Sequence, residues 1–143
     1  MRGFRILIAA SVTSGCIAGE ATDLAISAGA PVTAAVDGTI TRCGVPISDA
    51  AVVLRVRQDD MGQARPVDSQ VGPVSTDGGG RYLATISPAF AIPGPATVEL
   101  QVTPQGGAPQ ALTGATVEMA LGEPPRDTLH LSADVGLATR ACH

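Results

Sequence analysis

Beyond residue 33 the hydrophobic and polar positions alternate in short runs, and nowhere do apolar residues recur every three or four places for long. In "AVVLRVRQ" (51–58) Val52, Leu54 and Val56 alternate with Val53, Arg55 and Arg57, as a sheet with one wet face requires. "TVELQVTP" (97–104) alternates strictly. Further runs read as strands are "AAVDGTITR" (34–42), "VGPVS" (71–75), "RYLATIS" (81–87), "LTGATVEMAL" (112–121) and "TLHLSADVGLA" (128–138). "CGVPISDA", "TDGGGRY", "PAFAIPGPA", "QGGAPQA" and "GEPPRD" supply turn chemistry between them, and "DDMGQARPVDSQ" (59–70) reads as a polar loop. Seven or eight short runs of this kind predict an all-β fold, a seven-stranded antiparallel sandwich of Ig-like type. "VGLATRACH" reads either as the end of the last strand or as a short helical close. No internal repeat is visible.

The first residues follow a different pattern. A positively charged start (Arg2, Arg5) comes with an apolar stretch from Phe4 to Val12, which is followed by the small residues Thr13, Ser14 and Gly15. That order is the one of a bacterial secretory signal, and the run is far shorter than the roughly 20 residues of a spanning helix. Ser14, Gly15 and Cys16 match the last three places of a lipoprotein lipobox, while Thr13 stands where a larger aliphatic residue is usual. The reading is a signal peptide over 1–15, lipidation of Cys16, a tether over 16–33 and a β-domain over 34–143. Acyl chains on Cys16 would hold a soluble domain on a membrane. Ile17, where Asp is absent, resembles lipoproteins sorted to an outer membrane where one exists. The expected location is therefore the cell envelope, with the membrane as partner through the anchor.

Composition narrows the function classes. All nine basic residues are Arg, against thirteen Asp and Glu, for a net charge of -4; loss of Arg2 and Arg5 with the signal leaves about -6. So acidic a chain has little to offer a phosphate backbone, and no nucleic-acid partner is expected. Apart from Phe4 the aromatics are Tyr82 and Phe90, too few for stacking platforms under bases or sugars. Of three cysteines, acylation of Cys16 leaves Cys43 and Cys142 as a natural disulfide pair. A bridge closing a loop of about 100 residues stabilises by about 4 to 5 kcal/mol in the chain-entropy model.

"GTITRCGVPISDAAVVLRV", then "STDGGGRYLATI" and "IPGPATVELQV", together resemble the carboxypeptidase regulatory-like domain, a prealbumin-like sandwich. The family pattern falls on Gly38 and Ile40, on Gly44, Pro46, Ala50 and Val52, on Thr76, Asp77, Gly80 and Tyr82, and on Pro93 and Gly94. "RDTLHL" is similar to the closing strand of such domains, so the resemblance spans about residues 35–133. Asp49 stands where the family commonly has Gly, and Pro95, Ala96 and Thr97 replace the usual aromatic. The resemblance implies a structural or binding module and brings no catalytic residues.

Catalytic chemistry is sparse. His130 lies opposite Leu129 and Leu131 in alternation and reads as a solvated strand histidine; His143 is terminal. No Gly-x-Ser-x-Gly elbow accompanies them. Asp59 and Asp60 read as a solvated loop pair, since no calcium ligand loop surrounds them, and Asp77 reads as a turn former. "TRCGV" and "RACH" lack paired metal-ligand spacing. The Tyr-Arg-Gly-Ser ending of transthyretin-like hydroxyisourate hydrolases is absent. Intradiol dioxygenases need two Tyr and two His around iron, and Tyr82 is the only tyrosine. No metal or cofactor is expected. The sequence points to a noncatalytic envelope module with an envelope protein partner, the alternative being capture of a peptide, glycan or small ligand on loops or an open sheet edge.

Overall fold

The computed structural model describes residues 30–59, 66–112 and 114–136. The expected signal peptide, Cys16, most of the tether, Asp60, Cys142 and His143 lie outside them. Among the described residues every regular element is a strand: β1 (Val32–Arg42), β2 (Val45–Pro46), β3 (Ala51–Gln58), β4 (Val67–Ser75), β5 (Arg81–Ile86), β6 (Gly94–Thr103), β7 (Gln110–Ala111), β8 (Ala115–Leu121), β9 (Thr128–His130) and β10 (Ala133–Asp134). Six of the ten are longer than three residues, and the other four are short bridges that extend or close them.

Alternation sets the faces. Val52, Leu54 and Val56 on β3, Ala96, Val98, Leu100 and Val102 on β6, and Val117 and Met119 on β8 are all buried, while the residues between them look outward. These strands run antiparallel in the order β4-β3-β6-β8. β1 then carries the sheet around a corner. Its first residues pair with the end of β8 (Val32 with Leu121, Thr33 with Ala120), and Ala34 to Thr39 pair antiparallel with β5. The result is an antiparallel sheet curled into a half-barrel around one core. Ala34, Val36, Ile40, Tyr82, Ala84, Ile86 and Val135 face the residues from β3, β6 and β8 there. Tyr82 is the single ring in this core of small and branched side chains.

Three details depart from the sequence expectation. β1 also pairs in parallel with β9 (Ala35 with Thr128 through Asp37 with His130) and with β10, so the sheet is not purely antiparallel. β4 starts at Val67 inside the stretch read as a loop. Val67 is buried and Asp68 faces Arg57 across the ladder, an alternation hidden by the polar residues on the outward side. Val32 and Thr33 belong to β1, and buried Thr33 donates through Oγ1 to the Gly122 carbonyl at 2.6 Å, so the domain begins inside the expected tether.

Gly38 is where β1 admits its closest neighbour. The buried Tyr82 pairs across from it and donates its hydroxyl to the Leu131 carbonyl at 2.7 Å. That carbonyl oxygen would sit 1.9 Å from a Cβ at position 38, far inside any real contact. Gly38→Ala should therefore cost about 3 kcal/mol of stability in urea unfolding, because only backbone can move aside. Gly136→Ala, whose Cβ meets open space, should change it by less than about 0.5 kcal/mol.

Candidate functional site

The even-numbered residues of β1 face the core, so its odd-numbered side chains form an outer surface with β5 and β9. Across it Leu83, Asp37 and His130 share one row, Arg81 and Thr39 the next, and Ser132 lies on the continuation of β9. Asp37 Oδ1 contacts His130 Nδ1 directly. The Ser132 hydroxyl accepts the Thr39 N–H at 3.0 Å. Asp37, Thr39, Arg81, Tyr82, His130 and Ser132 line an open groove of about 320 Å³. Burial, aided by the nearby Asp37 charge, pushes the Tyr82 phenol well above its ordinary range, so it stays a neutral donor. His130 is thus both exposed, at 77 % of its side chain, and paired.

β5 completes this surface with an open edge. β1 presents its even residues to β5, as in Ile40 N–H donating to the Gly80 carbonyl at 2.7 Å, so the N–H and C=O of Leu83 and Thr85 point away from β1. Among the described residues no strand pairs with that edge. Leu83 is 64 % exposed, an unusual display for a leucine at mid-strand. Arg81 alone is spoken for: its N–H donates to the Asp77 carboxylate and its carbonyl accepts the Asp77 N–H.

A second groove, of about 370 Å³, crosses the outer face of β3 and β6 beside Leu112 and Gly114, with Arg55, Gln70, Glu99 and Gln101 as its polar lining. Arg55 holds Asp68 through two bonds of 2.9 and 2.7 Å, and Arg57 holds Glu99 at 2.8 Å. These exposed pairs arrange the face more than they stabilise it.

The remaining residues singled out by sequence hold turns. Asp77 accepts the N–H groups of Gly79 and Arg81 at 2.8 and 2.9 Å, and these bonds hold its carboxyl below the usual range. Gly80 has φ +72°, and a Cβ there would meet the Ile40 carbonyl at 2.5 Å. Thr76 is buried; its hydroxyl donates to the Ile47 carbonyl and accepts the Ala50 N–H, which fastens the turn bearing Pro46 and Ala50. Asp49 adopts φ +56°, a left-handed position that Asp tolerates and Gly prefers. Ala50 and Val52 are core residues. Cys43 (φ +54°) and Gly44 (φ +76°) form the tight reversal from β1 to β2.

The sequence reading passed over Asp134. Its carboxylate accepts the Cys43 and Gly44 N–H groups at 2.9 and 2.8 Å and the Thr41 hydroxyl at 3.1 Å. Bonds from Gly44 and Cys43 hold its carboxyl below the usual range. Asp37 was passed over too. Only knowledge that β9 runs beside β1 brings it to His130, 93 residues away. Among the described residues no cluster of three or more His, Cys, Asp or Glu could hold a metal ion.

No family model matches the chain, and no curated protein matches it. Among solved structures, the dioxygenase domain of a dioxygenase carbohydrate-binding protein fusion from the cellulolytic bacterium Streptomyces sp. SirexAA-E aligns with a TM-score of 0.42. It shares 17 % identity over 73 % of this chain and 81 % of that one. So loose a likeness carries no argument about this protein.

Asp77 and Asp134 tie acid stability to these turns. Both carboxyls titrate below their unfolded value of about 3.9, so their contribution is complete above that pH and is lost as pH falls through the folded values. Urea unfolding followed from pH 6 downward should show stability falling below about pH 4. Asp77→Asn and Asp134→Asn should each be less stable at pH 6 and show a shallower acid limb; parallel acid limbs would contradict these assignments.

Proposed function

We propose that this chain is a noncatalytic interaction module of the cell envelope, anchored by lipid on Cys16, that captures an extended segment of a partner protein on the free edge of β5. The fold we assign is a prealbumin-like sandwich of the carboxypeptidase regulatory-like kind, with Cys43 bridged to Cys142. The observation that carries the reading is the edge itself: the unpaired main-chain groups of Leu83 and Thr85, with the Leu83 side chain exposed beside them. Such an edge binds by strand addition, in which main-chain hydrogen bonds give affinity and side chains in alternate positions give choice. Edges left this open are otherwise blunted by charge, proline or cover. From Tyr82 to Ile86 β5 carries no charge or proline, and no described strand covers its edge.

The polar and titratable side chains fit this role. Asp77 and Asp134 are committed to backbone N–H groups, and the Asp37–His130 pair flanks the edge as a polar border. A second reading, a glycan or small-ligand site, is favoured by the groove over β3 and β6, where Arg55, Gln70, Glu99 and Gln101 present donors and acceptors together.

Thr85→Pro removes an outward N–H without touching the ladder to β1, where proline is tolerated at an edge. In pulldowns from solubilised envelopes it should reduce partner recovery about tenfold, the effect of losing roughly 1.4 kcal/mol. Unchanged recovery with Thr85→Pro, together with loss on Arg55→Ala, would move the site to the second groove. Intact mass of the mature protein under nonreducing conditions should show acyl additions on an N-terminal Cys16 and one disulfide. A free Cys142 thiol would end the pairing.

A further inference from the structure

The strongest irregularity outside these surfaces lies in the connection from β5 to β6. Phe90 has φ +65°, the left-handed region that a phenylalanine rarely occupies, and is 73 % exposed. It sits at the third position of a turn closed by Ala91 N–H donating to the Pro88 carbonyl at 3.4 Å, a place where glycine is the ordinary choice. Strain of this kind persists only where surrounding structure enforces it. Here the enforcement is visible. Gln58, 1 % exposed at the end of β3, donates from Nε2 to the Ile92 carbonyl at 2.8 Å and accepts the Ile92 N–H through Oε1 at 3.1 Å. A buried amide thus clamps the base of a loop whose tip holds an aromatic ring out in solvent.

The loop is also free of charge. From Ser87 to Val98 there is no Asp, Glu, Arg or Lys, and residues 88–93 read "PAFAIP". Its position follows from strand register. Ala34 pairs with Ile86, Val32 with Leu121, and Gly94 with Met119, so the start of β1 and the loop after β5 lie at one end of the fold. The chain from Cys16 reaches the domain at that end, at Pro31 and Val32. Residues 17–30, fourteen in number, separate Cys16 from that end.

We infer that the Phe90 loop is a membrane-contacting tip, seating its ring in the interfacial region of the bilayer that holds the anchor; the inference rests on lipidation of Cys16. Glu123 and Arg126, both exposed on the loop after β8 at the same end, remain in the headgroup layer and limit the contact to the tip. Held this way, the domain stands on its β1-entry end with a fixed orientation.

The chain has no tryptophan, so Phe90→Trp supplies a sole indole at the tip. The mature protein carrying it, purified from membranes and reconstituted in phosphatidylcholine and phosphatidylglycerol vesicles, should float with them. The indole emission should shift to the blue and be quenched by acyl-brominated lipids, whereas Leu83→Trp on the β5 face should show neither change. Phe90→Gly relieves the left-handed strain and folds without it; it should lose vesicle-dependent protection of residues 87–93 from amide exchange. Flotation with an unquenched Phe90→Trp indole overturns the tip contact and leaves the anchor standing. An indole shielded only when a protein co-purifies assigns the tip to a protein pocket instead. A chain that stays soluble and carries no acyl mass on Cys16 overturns the anchored reading and the inference together.

Discussion

One strand, β1, holds the rest of this fold in place, and its capacity to do so turns on the absence of a side chain at Gly38. Its eleven residues pair with β8 at the start, β5 on one edge, β9 and β10 on the other, and β2 through a tight reversal. That many neighbours fit around a single strand only if one of them approaches its backbone very closely, and the Leu131 carbonyl does so at Gly38. Tyr82 then closes over the gap with its hydroxyl on the same carbonyl. Lose that fit and the outer row of Asp37, His130 and Ser132 loses its register, as does the core residue Val135, whose N–H donates to the Thr41 carbonyl at 2.8 Å.

The division of labour among polar groups follows from the same economy of core. With one ring and many valines, the interior gives little surplus burial, so turns are fixed by hydrogen bonds. Thr76 fastens one reversal, Asp77 the next, Asp134 the hairpin at Cys43, and Gln58 the loop of Phe90. Each ties a loop to a strand that ends nearby. The outward sheet faces and the β5 edge are left available, and a domain standing on its β1-entry end would keep both clear of the bilayer.

How much of this was legible depended on whether the signal was local. The alternation of β3 and β6 announced strands and faces, and "TDGGGRY" announced a turn with Asp77 and Gly80 because both act on their own neighbours. β4 was half missed, since "VDSQV" buries Val67 while its polar residues suggest a loop. The parallel pairing of β9 with β1 leaves no mark on either segment, so Asp37 and Asp134 could not be linked to their partners. Gln58 falls on the inward register of Val52, Leu54 and Val56, but nothing local shows that the Ile92 backbone takes both of its amide atoms. Phe90 was visible only as part of a proline-rich connection; its left-handed backbone is a property of the folded loop.

The closure of β1 by residues 127–135 also bears on when the molecule can assemble. Asp37 meets His130 across 93 residues, and the Cys43 hairpin waits for Asp134 from 91 residues away. A chain emerging from its N-terminus therefore holds an unfinished first strand until residues 127–135 have appeared, and contacts so distant in sequence close slowly. Such a delay keeps the chain unfolded for most of its synthesis, the state that the export proposed above would require.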